Sequence, residues 1–204
     1  LSFERLAEFV FLQAKRRHPE LLNEEGRVMV LRALLQKRRE ELKIFRASAR
    51  MVGFASQLSQ LLRELQSHQL SVERLRELAA RSDLPGALRD KLHDLALLLK
   101  SYHAWLEDHR LADAGRLLDF AASALQSQIQ NPKSKIQIAG LWLDGFAQMT
   151  PQELSLLAAV ASCCHQVTLA FCLEKIPTAA ESWLSPWNGV VRTYLRCHEA
   201  MSSL

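Results

Sequence analysis

Long apolar runs are missing from this 204-residue sequence. The longest, Leu154 to Cys164, is interrupted by Ser155 and Ser162. It is too short to span a bilayer. No basic-then-apolar leader opens the chain, so no membrane partner is expected. Cysteine is scarce: the four thiols form no C-x-x-C pair. That spacing excludes a disulfide framework and the paired ligands of a structural zinc site. Buried thiols in a reducing compartment, the cytoplasm by default, are the expectation. Two motifs are absent as well. No G-x-x-x-x-G-K-[ST] loop is present to cradle a phosphate, and no G-x-S-x-G elbow to present a serine nucleophile.

What is present is ordinary globular material, 49% hydrophobic and 24% charged. It suffices for one sizeable core, or a core with a subdomain. The start at Leu1 instead of Met reads as a piece of a longer protein. The net charge of +4 is unevenly spread. Residues 1–50 hold 12 Lys/Arg against 7 Asp/Glu, residues 51–130 hold 9 against 10, and residues 131–204 hold 5 against 5. The excess therefore lies in the first quarter of the chain, where it can attract a polyanion without proving that one binds.

Apolar spacing predicts a helix over 3–17, capped by Ser2 and broken at His18-Pro19. A helical region over about 24–126 follows, with members at 24–50, 51–67, 71–82, 85–109 and 113–128 and almost no strand signal. Ser71 is a good N-cap, and Asp83-Leu-Pro-Gly is punctuation. The broad apolar stripe of Lys91 to Leu106 suits a helix buried in a bundle. Ser127 to Gln137 is polar, contains Asn131-Pro132, and reads as a surface linker.

Beyond it the character changes to β/α. Ile136–Phe146 reads as a strand, 151–163 as a helix and Gln166–Leu173 as a second strand. This βαβ unit implies a parallel pair. Leu141-Trp142-Leu143 is continuously apolar, as in a strand covered on both faces. Asp144-Gly145 ends it, at the carboxyl edge where α/β sheets bind ligands. Thr150-Pro151-Gln152-Glu153 combines a hydroxyl cap, a first-turn proline and a glutamate at the third position, which is a capping box. A strand-end carboxylate such as Asp144 holds Mg²⁺ in P-loop phosphoryl-transfer sites. Residue 145, where helicases add a glutamate to activate water, is a glycine. An Asp-Gly turn without chemistry explains the same residues equally well.

Other constellations have bland readings too. Arg32, Arg39, Lys43, Arg46 and Arg50 share one face if 28–50 is a continuous helix, and could then line a phosphate-binding surface. A solvated face beside Glu40 and Glu41 is the plainer account. Lys15, Arg16 and Arg17 complement a helix C-terminus. Cys163, Cys164, His165 and Cys172 lack metal spacing, and Cys197-His198 lacks a spaced partner. His93 and His103 read as packed or surface histidines. Trp183 and Trp187 flank a turn and are expected to pack the end of the domain.

LSFERLAEFV at 1–10, GFASQLSQLLREL at 53–65, KLHDLALLLKSY at 91–102 and LWLDGFAQMTPQEL at 141–154, with VTLAFCL at 167–173 and VVRTYLR at 190–196, occur in an order that matters. Together they resemble the N-terminal helicase-like region of the AddB (RexB) subunits of bacterial AddAB helicase–nucleases. The resemblance implies an α/β, mostly helical fold: a partial P-loop helicase-like parallel-sheet core of UvrD type, interrupted by a large all-α insertion. Residues 1–18 and 132–204 would be core, and 19–131 insertion. Phe3 would match the aromatic residue near single-stranded DNA. Asp144 would match the first acid of the ATPase motif, Gly145 the second and Phe146 the residue after it, a degenerate nucleotide site.

The resemblance further implies a non-motor, DNA-binding subunit acting in double-strand break repair and recombination, with an AddA-like helicase–nuclease subunit as partner. No cofactor is expected within these residues. ATP with Mg²⁺ and an iron–sulfur cluster would belong to other regions of the parent. The competing reading makes the helical region a scaffold that docks the partner with little DNA affinity of its own. A free-standing α/β enzyme built on Asp144 lacks any identifiable second catalytic group.

Overall fold

The computed structural model describes residues 2–16, 19–129, 136–179 and 182–202. The expected breaker at His18, the cation Arg17 and the Asn131-Pro132 turn lie outside the described residues. The described chain is mostly helical, with a few short parallel strands. It divides into two compact units, one of residues 1–18 and 117–204 and one of residues 19–116.

The helical unit begins with β1 (Leu21–Leu22) and α2 (Glu24–Lys37) and continues through α3 (Phe45–Ser48), α4 (Phe54–Ser67), α5 (Val72–Ala80) and α6 (Gly86–Asp108) to β2 (Ala112–Asp113). Its core is the apolar face of the long helices: Leu31 and Leu35 of α2, Leu58 and Leu62 of α4, Leu75 of α5, and Leu95, Leu98 and Leu99 of α6 are all buried. Burying a leucine is worth about 1.5–3 kcal/mol, so packing, more than helix propensity, holds these segments. Ser71 caps α5 as expected, accepting the Arg74 N–H at 3.1 Å.

Three features of this unit depart from the sequence reading. Two-residue β1 and β2 pair in parallel, Leu21 with Ala112 and Leu22 with Asp113, where no strand was expected. Ala112 also donates its N–H to the Glu20 carbonyl at 2.8 Å.

The helix expected over 24–50 stops at Lys37, becomes a 3-10 turn at Arg39–Glu41, and restarts only as the single turn α3. The cause lies 50 residues away on α6. Asp94, fully buried, accepts the backbone N–H groups of Lys43 (2.9 and 3.1 Å), Ile44 (2.8 Å) and Phe45 (2.9 Å). A carboxylate bound by three amides fixes a loop, and the continuous helix is lost to it.

The third feature is a buried polar knot. Arg27 donates to Asp113 (2.5 Å) and to Gln66 (2.8 Å), Gln66 donates to Asp113 (2.8 Å), and the Arg27 guanidinium stands 5.1 Å from the Tyr102 ring centroid. It ties α2, α4, α6 and β2 together. Burial pushes the Tyr102 hydroxyl well above its ordinary pKa. The knot leaves little room at Gly115, where a Cβ would lie 3.3–3.4 Å from Asp113, Arg27 and Gln66.

The α/β unit comprises α1 (Phe3–Gln13), α7 (Leu117–Ile129), β3 (Leu141–Leu143), α8 (Pro151–Ala161), β4 (Val167–Leu169) and α9 (Asn188–Ser202). Helix α7, expected within the 19–131 insertion, groups with this unit. Ser2 caps α1, which ends at Gln13 instead of 17. Strands β3 and β4 run parallel in the register Leu141–Val167, Trp142–Thr168, Leu143–Leu169, as the βαβ pattern requires. Both are shorter than expected, with an isolated bridge from Ile138 to Cys164. The core gathers Phe3, Val10 and Phe11 of α1, Ala121 and Leu125 of α7, and Leu156, Leu157 and Val160 of α8.

The expectation that β3 is covered on both faces fails: Leu141 and Leu143 are half-buried, but Trp142 is 67% exposed. Its indole folds back over Gly140, where a Cβ would sit 2.4 Å from the ring. Consecutive apolar residues therefore misled, because one of them covers glycine backbone instead of facing a second layer.

Candidate functional site

The most specific sequence element becomes a strand–loop–helix corner. β3 ends at Leu143, and Asp144 and Gly145 follow at the carboxyl edge of the parallel pair, both exposed. Gly145 has φ of 81°, in the left-handed region that a side chain disfavours, and a Cβ there would meet nothing within 4 Å. Glycine thus serves the backbone turn, and no second carboxylate stands beside Asp144 at this position.

The loop returns to Thr150, whose hydroxyl accepts the Glu153 N–H (3.3 Å) while Glu153 accepts the Thr150 N–H (2.7 Å). Pro151 occupies the first turn, so the complete capping box is formed. From α9, Thr193 donates to the Ala147 carbonyl at 3.1 Å and Arg196 to the Met149 carbonyl at 3.1 Å. The corner is held from both ends, and its acid is left facing solvent.

Phe146 is half-buried and meets Phe3 edge-on, ring centroids 5.3 Å apart. Phe3 is only 5% exposed. These two candidates are therefore brought together, but as core packing beneath the corner. With the chain folded this way, the Phe3 ring offers no open face for a base.

The basic stripe does not form one face. Arg32 is exposed on α2, Arg39 lies in the 3-10 turn, Lys43 in the loop fixed by Asp94, Arg46 on α3 and Arg50 in the turn after it. Arg46 is ion-paired to Glu40, and Lys43 to Asp90 at 2.7 Å. The reading as a continuous helical face is corrected by the break at Lys37.

Sequence reasoning passed over a different grouping. Lys43 lines a cleft of about 470 Å³ with Arg76 of α5 and Arg89, Asp90 and His93 of α6, alongside Ala79, Ala80 and Ala96. Three cations and an imidazole stand there against one carboxylate. The signal is diluted because its members are spread over residues 43–93, on a loop and two helices.

The expectation of buried thiols holds only in part: Cys197 is buried, Cys163 and Cys164 are half-buried with Sγ 3.6 Å from the Ala159 carbonyl and 3.2 Å from that of Val160, but Cys172 is exposed. Burial raises the thiol pKa of Cys164, and also that of Cys197. Among the described residues, no group of three or more His, Cys, Asp or Glu is placed to hold a metal ion. His93 is partly exposed beside Asp94, and burial lowers the His103 pKa. Trp183 is 81% exposed and Leu184 72%, so the expected packing of this tryptophan is not seen. Trp187 is 39% exposed and, with Val191, lines a hollow against residues 173–179. Among the described residues, no helix is long and apolar enough to cross a membrane.

Comparison with known proteins adds a second line of argument. The family model "ADDB, N-terminal" matches residues 1–203. The B subunit of the ATP-dependent helicase/deoxyribonuclease of Heliobacterium modesticaldum is 36% identical over 176 residues, covering 85% of this chain and 14% of the relative. Its namesake in Symbiobacterium thermophilum is 36% identical over 177 residues, with 85% and 15% covered. That of Desulforamulus reducens is 34% identical over 180 residues, again with 85% and 15% covered. The chain therefore spans about a seventh of the length of these relatives. The family match runs through both units, from the Ser2 cap to α9. On these matches the chain belongs to the AddB N-terminal family.

Proposed function

We propose that this chain is the non-motor, DNA-engaging part of the AddB-type subunit of a two-subunit helicase–nuclease acting in double-strand break repair and recombination. One observation carries the non-motor half of the reading. The strand-end acid Asp144 is solvent-facing on a well-anchored corner, and Gly145, at φ 81°, carries no side chain where the resemblance to helicases would put the water-activating acid. Phosphoryl transfer needs a metal-holding acid together with a group that orients the attacking water. An acid alone does not complete that pair, so hydrolysis is not expected at this corner. The two units would correspond to a helicase-like core and its helical insertion. The AddA-like partner would supply translocation, with ATP and Mg²⁺ at its own site, and any iron–sulfur cluster would reside in other parts of the AddB-type polypeptide.

The test is DNA-stimulated ATP hydrolysis by the reconstituted two-subunit complex whose AddA-like partner carries a disabled phosphate-loop lysine. Hydrolysis should vanish. Residual hydrolysis that disappears on Asp144→Ala would make the AddB-type polypeptide a motor and sink the reading.

A second reading makes the helical unit a docking scaffold for the AddA-like partner. It is supported by the exposed pair Met51 (65%) and Val52 (103%) in the turn before α4. Adjacent exposed apolar residues suit a protein interface. Val52→Asp would then weaken association of the two polypeptides while DNA affinity stays unchanged.

A further inference from the structure

We propose that the cleft formed by α5, α6 and the Lys43 loop binds the phosphodiester backbone of single-stranded DNA. This rests on the DNA-engaging reading above and gives it a location. Lys43, Arg76, Arg89 and His93 line a space of about 470 Å³ together with the small side chains Ala79, Ala80 and Ala96. The one acid in it, Asp90, is already neutralised: the Lys43 ammonium lies 2.7 Å from it and holds its carboxyl below the usual range. Arg76 and Arg89 form no ion pair among the described residues, and the Nε donor of Arg89 is buried without a hydrogen-bond partner there. The surplus of positive charge is thus held on two guanidinium groups, whose forked donors match phosphate oxygens.

The walls are firm. Asp94 pins the backbone of residues 43–45 to α6 through three N–H donors, which fixes where Lys43 starts. The Asp90 and His93 side chains come from adjacent turns of that same helix. Preorganised cations lose less entropy on binding than cations on a mobile loop. Among the described residues no Phe, Tyr or Trp lines the cleft, so it lacks a broad stacking platform for bases. The contact is therefore to the backbone and independent of sequence, which is how phosphate contacts position a strand without reading it.

The experiment measures fluorescence anisotropy of a labelled oligo(dT) with the full 204-residue chain across a salt series, with sodium tripolyphosphate as a separate ligand by calorimetry. The double variant Arg76→Ala/Arg89→Ala should weaken DNA binding roughly tenfold or more at about 50 mM salt and make the log–log salt slope shallower by about 1 to 1.5. Ala80→Glu removes no cation and sits at an exposed helix position. It should weaken binding comparably, which separates loss of the site from loss of fold. Lys37→Ala/Lys100→Ala removes two exposed charges outside the cleft and should change affinity less than about twofold. If the unaltered chain binds DNA and the cleft variants bind it equally well, the cleft assignment is overturned while DNA engagement stands. If the chain binds tripolyphosphate but not DNA, the site takes a free polyphosphate and the proposal is overturned. If it binds neither, the cleft and the DNA-engaging reading fall together.

Discussion

The two units solve the same problem, holding polar chemistry on a helical scaffold, in opposite ways. The helical unit buries its strongest charges: Arg27 and Asp113 are each 2% exposed and share Gln66. The α/β unit keeps its notable acid, Asp144, in solvent and buries neutral groups beneath it, Phe3 against Phe146 and the Thr193 hydroxyl on the Ala147 carbonyl. The difference separates two uses of charge. A buried pair desolvated from water contributes little net stability, yet losing one partner strands the other. An exposed acid costs nothing to keep and is free for a ligand. Buried charge in the first unit therefore specifies structure, and exposed charge is what a ligand can meet: the cations of the α5–α6 cleft attract phosphate, whereas Asp144 alone on the corner repels it.

The largest effect that would break this contrast is on the knot. Asp113→Ala should destabilise the helical unit by about 3–5 kcal/mol, because the Arg27 guanidinium is left buried with only Gln66. The double change Arg27→Met/Asp113→Leu should recover most of that loss. Urea unfolding checks both. Equal damage from the single and double variants would show that the pair does more than satisfy itself.

In the α/β unit the comparable loss must be apolar. Leu156→Ala, at a site with no exposure, should cost about 2–5 kcal/mol. In a thermal scan it should shift the unfolding of that unit and leave the helical unit's transition in place. A single merged transition moving as a whole would mean that the two units fold as one.

A smaller effect sharpens the corner itself. Thr150→Ala removes one half of the capping box and should cost about 1 kcal/mol. Thr150→Ser should restore most of it in the same urea titration.

The smallest concerns helix ends. Gln69→Gly should stabilise the helical unit by roughly 0.5–1 kcal/mol, since a non-glycine residue there occupies the left-handed region. A loss of stability in chemical denaturation would show that the Gln69 side chain matters more than its backbone.

That last site also explains what the sequence concealed. α1, α4 and α6 all end with a left-handed residue, Lys15 (φ 50°), Gln69 (φ 54°) and Arg110 (φ 56°). Behind each, a backbone N–H reaches back five residues: Arg16 to Phe11, Leu70 to Leu65 and Leu111 to Leu106. Glycine usually marks such stops. With seven glycines in the chain and none of them at these three positions, no glycine marks the stops; the turn signals beyond α4 and α6 still put their ends within one residue of Ser67 and Asp108, whereas the end of α1 at Gln13 was hidden.

Caps carried by local side chains were legible, as at Ser71 and Thr150, and so was the parallel pairing implied by strand–helix–strand order. Long-range capture was not. Nothing near residue 38 announces that Asp94 will take the amides of residues 43–45, so the Arg32–Arg50 stripe looked continuous. The acidic corner was found because its residues are contiguous. The basic cleft was missed because three separate segments build it.

Hydrogen exchange of the chain with and without a single-stranded oligonucleotide tests the central contrast most directly. The account predicts protection in peptides covering Lys43–Phe45, Arg76–Ala80 and Arg89–Leu97, and unchanged exchange across Leu141–Leu154. Protection confined to Leu141–Leu154, with the cleft peptides unaffected, would contradict it.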